Sequence, residues 1–191
     1  TRCMEGYYGA ADPLADLGSA HAKTFLNRDQ KNRREKDAGY MVTLKERVSG
    51  LRGYYAKDAS RYDEDRFGQR KGRLYSEAHY GALRDMIRAG TVASDNISLR
   101  VLDIATGTGR TSVRLADEGF TVCGLDITPE MLYVALGKKS AESKLGFCIG
   151  DAFSLPFADN SFDVVLCCRM LQMIPREHYD RFGREVSRVI S

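Results

Sequence analysis

"VLDIATGTGR", residues 101–110, decides how the chain is read. A short run of Val, Leu and Ile suits a strand buried on both faces, and it ends at an acid, Asp103. The chain then opens into a turn in which Gly107 and Gly109 remove side chains where backbone must approach a ligand. "GRTSVRLADEG" follows as a helix ended by Gly119, and its first N–H groups are free to face that ligand.

Downstream the same alternation repeats. "FTVCGLDI" reads as a strand and "TPEMLYVALGKK" as a helix, with Thr128 as N-cap, Pro129 at N1 and Glu130 in the first turn. "LGFCIGD" and "SFDVVLCC" are two more strands. "REHYDRFGREVSRVIS" is a helix with Tyr179, Phe182, Val186, Val189 and Ile190 on one face. Apolar strands alternating with helices predict a parallel sheet covered on both sides, a doubly wound, Rossmann-like α/β fold. Ligands in such sheets bind beyond the carboxyl ends of the strands.

Upstream, Met41, Leu44, Val48, Leu51 and Tyr55 recur at steps of three and four and predict an amphipathic helix. "KDASRYDEDRFGQRKG" is polar and punctuated by glycine, and reads as a loop. "RLYSEAHYGALRDMIRAG" predicts a second helix with Leu74, Ala78, Leu83, Met86 and Ile87 inward and Gly90 as its stop. The expected organisation is an N-terminal arm (1–38), a helical cap (39–95) and an incomplete ligand-binding α/β region (96–191).

Composition narrows the function. Of 191 residues, 43% are hydrophobic and 29% charged, which is ordinary for a globular protein. No apolar run approaches the ~20 residues of a membrane span. The net charge of +3 is small and part of it sits in "KTFLNRDQKNRREK", which reads as a solvated arm rather than a nucleic-acid surface. The five cysteines show no metal-ligand spacing, and four lie in apolar runs, as reduced thiols in a reducing compartment do. Cys167 and Cys168 are adjacent in a strand and so face opposite sides. The expected location is the cytoplasm, or an organelle if a targeting segment has been removed ahead of Thr1.

The glycine turn discriminates between cofactors. A dinucleotide fingerprint wants a third glycine or alanine where this chain has Ser112. A carboxylate at Asp103 repels a pyrophosphate but suits an ammonium group. Asp126 ends the second strand, where an acid can accept both hydroxyls of a ribose. Asp151 is placed to bond an adenine amino group, with Ala152 and Phe153 lining the ring. The set fits ribose, adenine and an amino-acid moiety. Each acid also has a plainer role open to it: Asp103 as a helix cap, Asp126 as a strand-end acid, Asp151 as a turn residue.

"VLDIATGTGR", "VCGLDITPEML", "GDAFSLPFADNSFDVVLCCRMLQMIP" and "REVSRVI" resemble the consecutive motifs of class I S-adenosylmethionine-dependent methyltransferases, in the small-molecule branch that includes ubiquinone and menaquinone methyltransferases. The resemblance covers residues 100–191 and extends loosely to "YYAKDASRYDEDRF". It implies S-adenosyl-L-methionine as cofactor and a small-molecule methyl acceptor. Asp103, Ala105, Gly107 and Gly109 would surround the methionine part. Asp126 would hold the ribose, Ile127 would pack on the adenine, and Asp151 and Ala152 would meet its edge. Arg169 and Met170 would face the sulfonium, and Tyr62 and Arg66 would close over the methionine carboxylate. In each of these last four, surface or packing roles are equally open. No catalytic residue and no metal is implied; the imidazoles of His79 and His178 read as helix-surface groups. No Asn/Asp-Pro-Pro-Tyr/Phe motif follows the fourth strand, which separates the chain from the exocyclic-amine nucleic-acid methyltransferases.

The family fold has seven strands, of which the first four are expected here. A fourth strand left as a sheet edge is long and apolar, a feature proteins avoid. Three explanations follow: a longer enzyme of which this is part, a partner chain or second copy that completes the sheet, or a catalytically silent scaffold.

Overall fold

The computed structural model describes residues 44–90 and 99–191. The expected arm, Cys3, Met41 and the "TVASDNIS" connection through residue 98 lie outside the described residues.

Four parallel strands form one sheet in the order β3-β2-β1-β4. They are β1 (Arg100–Ile104), β2 (Thr121–Asp126), β3 (Leu145–Ile149) and β4 (Val164–Cys167). Every residue of β1 is buried, as its apolar run requires. Alternation along the strands sends Val101, Val122, Leu145 and Val164 to one face and Leu102, Cys123, Leu125 and Cys148 to the other. Cys168 and Cys167 divide the same way, so the adjacent thiols pack in different clusters.

The helices follow from the amphipathic segments. α1 spans Leu44–Asp58, α2 Tyr62–Phe67, α3 Arg70–Gly90, α4 Arg110–Asp117, α5 Pro129–Leu136 and α6 Tyr179–Val189. Residues from α3, α4 and α5 cover one face of the sheet. Phe182 and Val189 of α6, with Phe153, Leu155 and Phe162, cover the other. The doubly wound α/β reading therefore holds, with helices ahead of the sheet.

Two expectations change. "KDASRYDEDRFGQRKG" is mostly helix: it contains the end of α1, all of α2 and the start of α3. Its polarity reflects outward faces; Tyr62 and Phe67 point in and pack with Ala59 and Met131. α3 turns Tyr80, Leu83 and Ile87 inward, while Leu74 and Met86 are exposed. Thr128 is the N-cap of α5 with Pro129 in the first turn, as expected, although its hydroxyl makes no cap bond.

At the bottom of the sheet, Arg100 and Asp163 form a paired ion bridge at 2.8 Å, with the Arg100 backbone N–H donating to the same carboxyl. The guanidinium holds the Asp163 carboxyl below the usual carboxylate range. At the other end of the strands the chain makes its turns, and there the cavity lies.

Candidate functional site

The glycine turn is held by its own strand-end acids. Asp103, 2% exposed, accepts hydrogen bonds at Oδ2 from Thr106 Oγ1 (2.8 Å) and Ser112 Oγ (2.7 Å). Its other oxygen, Oδ1, has no partner among the described residues, and the carboxyl lines the cavity. Burial pushes this carboxyl up to about 6, even though the two hydroxyls pull the other way. Ser112, which reads in the sequence only as a misfit to the dinucleotide pattern, is thus the group that orients Asp103.

Asp126 brackets the turn from β2. Its Oδ2 accepts the Gly107 N–H at 2.8 Å and its Oδ1 accepts the Thr128 N–H at 2.9 Å. Burial raises this carboxyl too, with the two backbone donors offsetting part of the effect. Ala105, Gly107 and Gly109 all stand at positive φ, 58°, 58° and 71°. For Ala105 this left-handed conformation costs about 1–2 kcal/mol, a strain concentrated at the rim of the cavity. A Cβ on Gly107 would meet nothing within 4 Å and would project into open space.

A cavity of about 250 Å³ lies between the cap helices and the carboxyl ends of the strands. It brings together Asp103, Ala105, Gly107, Asp126, Ile127, Asp151 and Ala152 from the turns, with Phe153 beside them. Arg169 and Met170 join from the segment after β4, and Tyr62 and Arg66 from α2. Gly109 does not line it. It is buried against α5 and β3, where a Cβ would stand 2.8 Å from Ala135 Cβ and 3.2 Å from Phe147 Cζ. Its lack of a Cβ lets the turn pack closely there.

The plainer roles can also be weighed. Asp103 does not cap α4, which starts at Gly109 without a side-chain cap. Asp151 does serve its own turn, accepting the Phe153 N–H at 2.9 Å, while still facing the cavity. Arg66 pairs with Asp58 at 3.3 Å and lies over the Tyr62 ring. Arg169, at a left-handed φ of 65°, reaches the Tyr62 hydroxyl at 3.2 Å and lies beside Phe67.

Several groups at or near the cavity escape a reading from sequence. Asp63 of α2 accepts the Thr108 hydroxyl at 2.7 Å and pairs with Lys138, whose ammonium also donates to the Thr108 carbonyl at 2.8 Å. This ties the cap directly to the glycine turn. His79 faces the cavity rather than the outer surface, stacked on Tyr75 with ring centroids 5.9 Å apart. The signal for it is the Ser76-His79-Tyr80-Leu83 spacing on α3, visible only once Leu74 is known to point out. His178 does not line the cavity; it packs edge-on against Phe153. The Cys168 thiol reaches the cavity, but burial pushes it up to about 12, so it stays protonated and unreactive.

Known proteins are similar to this chain in sequence and in fold. Residues 101–191 match the methyltransferase domain family. A demethylmenaquinone methyltransferase of Renibacterium salmoninarum is 50% identical over 66 residues, covering 35% of this chain and 27% of that protein. The ubiquinone/menaquinone biosynthesis C-methyltransferase UbiE of Dinoroseobacter shibae is 33% identical over 135 residues, covering 66% of this chain and 50% of that protein. The chain thus spans half or less of the length of these relatives. In structure it is similar to the magnesium protoporphyrin IX methyltransferase of Synechocystis PCC 6803 with bound S-adenosylhomocysteine. The TM-score is 0.61 at 19% identity, covering 76% of this chain and 68% of that one, a likeness of fold. The parallel sheet and the glycine turn after Asp103 lie within the residues, 101–191, that match the methyltransferase domain family.

Proposed function

We propose that the chain binds S-adenosyl-L-methionine in this cavity and transfers its methyl group to a small-molecule acceptor. The observation that carries the reading is the gathering of Asp103, Gly107, Asp126 and Asp151 around one cavity at the carboxyl ends of β1, β2 and β3. The residues fit the group. Asp103 presents an unpartnered carboxylate oxygen to an ammonium, and Gly107 leaves room where any side chain would intrude. Asp126, though bonded to two N–H groups, keeps lone pairs for ribose hydroxyls. Ile127, Ala152 and Phe153 supply an apolar slot for the adenine, with Asp151 at its edge.

When bound, the cofactor supplies a sulfonium-activated methyl group. The protein's part is to orient the partners and to exclude water. The cap does the second: Tyr62 and Phe67 are buried under it and roof the cavity. Arg66 and Arg169 lie on the cap side and are available to the methionine carboxylate or to an anionic group of the acceptor. The relatives named for demethylmenaquinone and for ubiquinone/menaquinone biosynthesis support a small organic acceptor. A silent scaffold is not favoured, because it has no use for three buried or half-buried acids converging on one cavity.

Calorimetry with S-adenosylhomocysteine tests the reading. Binding at micromolar protein is expected, and no heat of binding would overturn it. Asp126→Ala should weaken binding about ten-fold or more, since a hydrogen bond to a charged group contributes about 1.5–3 kcal/mol. Unchanged affinity would mean the ribose lies elsewhere.

A further inference from the structure

We propose that His79 takes up a proton from the methyl acceptor, and that the acceptor presents a weakly acidic hydroxyl, phenolic or enolic, between His79 and Arg169. This rests on the function proposed above.

The strand order places the groups. With the sheet running β3-β2-β1-β4, the adenine and ribose partners Asp151 and Asp126 end β3 and β2 or follow them, and Asp103 belongs to β1. The wall left for an acceptor is the end of β4, where Cys168, Arg169 and Met170 line the cavity, as does His79 of α3. His79 projects from α3 into that wall, close enough to Arg169 for the two to interact electrostatically. Tyr55, Phe67 and Tyr75 add flat aromatic surface around it, which suits a planar acceptor.

The other groups facing this space are unsuited to the task. From α1, Arg52 and Tyr55 face the cavity, and from α2, Tyr62 and Arg66; none is a base near neutrality. Arg110 and Arg114 of α4 are engaged by Ser76 and Glu77. Asp103 is reserved for the cofactor's ammonium, and the Cys168 thiol is held protonated. Burial and the Arg169 charge lower His79, so its imidazole rests neutral at pH 7 and can accept. The same guanidinium then lies against the oxygen anion as it forms.

The step balances without a further reagent. The hydroxyl proton moves to a ring nitrogen of His79, and an oxygen lone pair forms the bond to the methyl carbon. The electron pair of the broken carbon–sulfur bond stays on sulfur, leaving a neutral thioether. The imidazolium later returns its proton to water.

Para-nitrophenol is a direct probe, because its anion absorbs in the visible and requires no turnover. Near the ordinary imidazole value of 6.5, protein saturated with S-adenosylhomocysteine should bind it as the phenolate. His79→Gln should lower the bound phenolate about ten-fold while leaving the affinity for S-adenosylhomocysteine within about two-fold. No spectral change with the wild-type complex, or the same change in both proteins, overturns the proposal. Failure of the wild type to take up S-adenosylhomocysteine overturns the cofactor reading instead, so the two failures are told apart.

Discussion

Asp103 shows how one residue couples the fold to its ligand. The folded chain holds a proton on this carboxyl up to about pH 6, whereas the unfolded chain releases it near 3.8. Between those values the native state binds more protons, so Asp103 makes stability fall as pH rises through the window. An ammonium group beside Oδ1 reverses the preference, because it interacts only with the ionised form. The affinity for S-adenosylhomocysteine is therefore expected to rise with pH through about 6 and to level off above it, by up to about ten-fold per pH unit. Calorimetry across this range checks it, with Asp103→Asn as the control that should lose the dependence. A flat profile for the wild type would place the ammonium elsewhere. At the same scale, Asp103, Asp126 and Asp151 could be picked out from their strand-end positions alone. Their partners could not: Ser112 and Thr106 earn their roles only when the turn folds back over β1.

Among the elements, α2 decides whether the cavity has a roof. It is only six residues long, too short to be stable alone, and depends on what holds it down. Tyr62 and Phe67 pack on Met131 of α5, and Asp63 grips Thr108 and Lys138. Asp63→Asn keeps the side chain's shape while removing its charge. The pair is partly exposed, so its contribution is modest, about 1 kcal/mol, and release of S-adenosylhomocysteine should quicken by about five-fold. Stopped-flow dissociation measures this, and high salt should narrow the gap between variant and wild type. An unchanged rate would mean that the apolar contacts hold the cap unaided. The polar, glycine-marked segment around α2 reads as a loop because its inward residues, Ala59, Tyr62 and Phe67, are only three in number. Lys138 stands 75 residues from Asp63, and no local pattern links them.

For the molecule as a whole, β4 is the weak boundary. Its Asp163 and Val165 N–H groups face β1, while those of Val164 and Leu166 point to the open side. Among the described residues, Phe162 is engaged there, by the parallel bridge to Ile190. In the 191-residue chain, hydrogen exchange should be slowest in β1 and β2 and faster at Val164 and Leu166 than at Val165. Equal protection along β4 would show that a second copy or another strand covers this edge.

The sheet, its strand-end acids and its cofactor class were legible in the order of residues, because each rests on local regularities. Period-two burial, glycine turns and strand-end carboxylates are spelled within a few residues of one another. The tertiary structure decided what depends on packing between distant segments. It turned Leu74 outward and Tyr80 inward on α3, a choice between two similar apolar stripes that only the sheet beneath could make. It set Gly109 close against Ala135, where only a residue without a Cβ fits. It also brought His79 and Arg169 to one cavity, since side chains remote in sequence meet only where burial of the apolar surfaces forces their elements together.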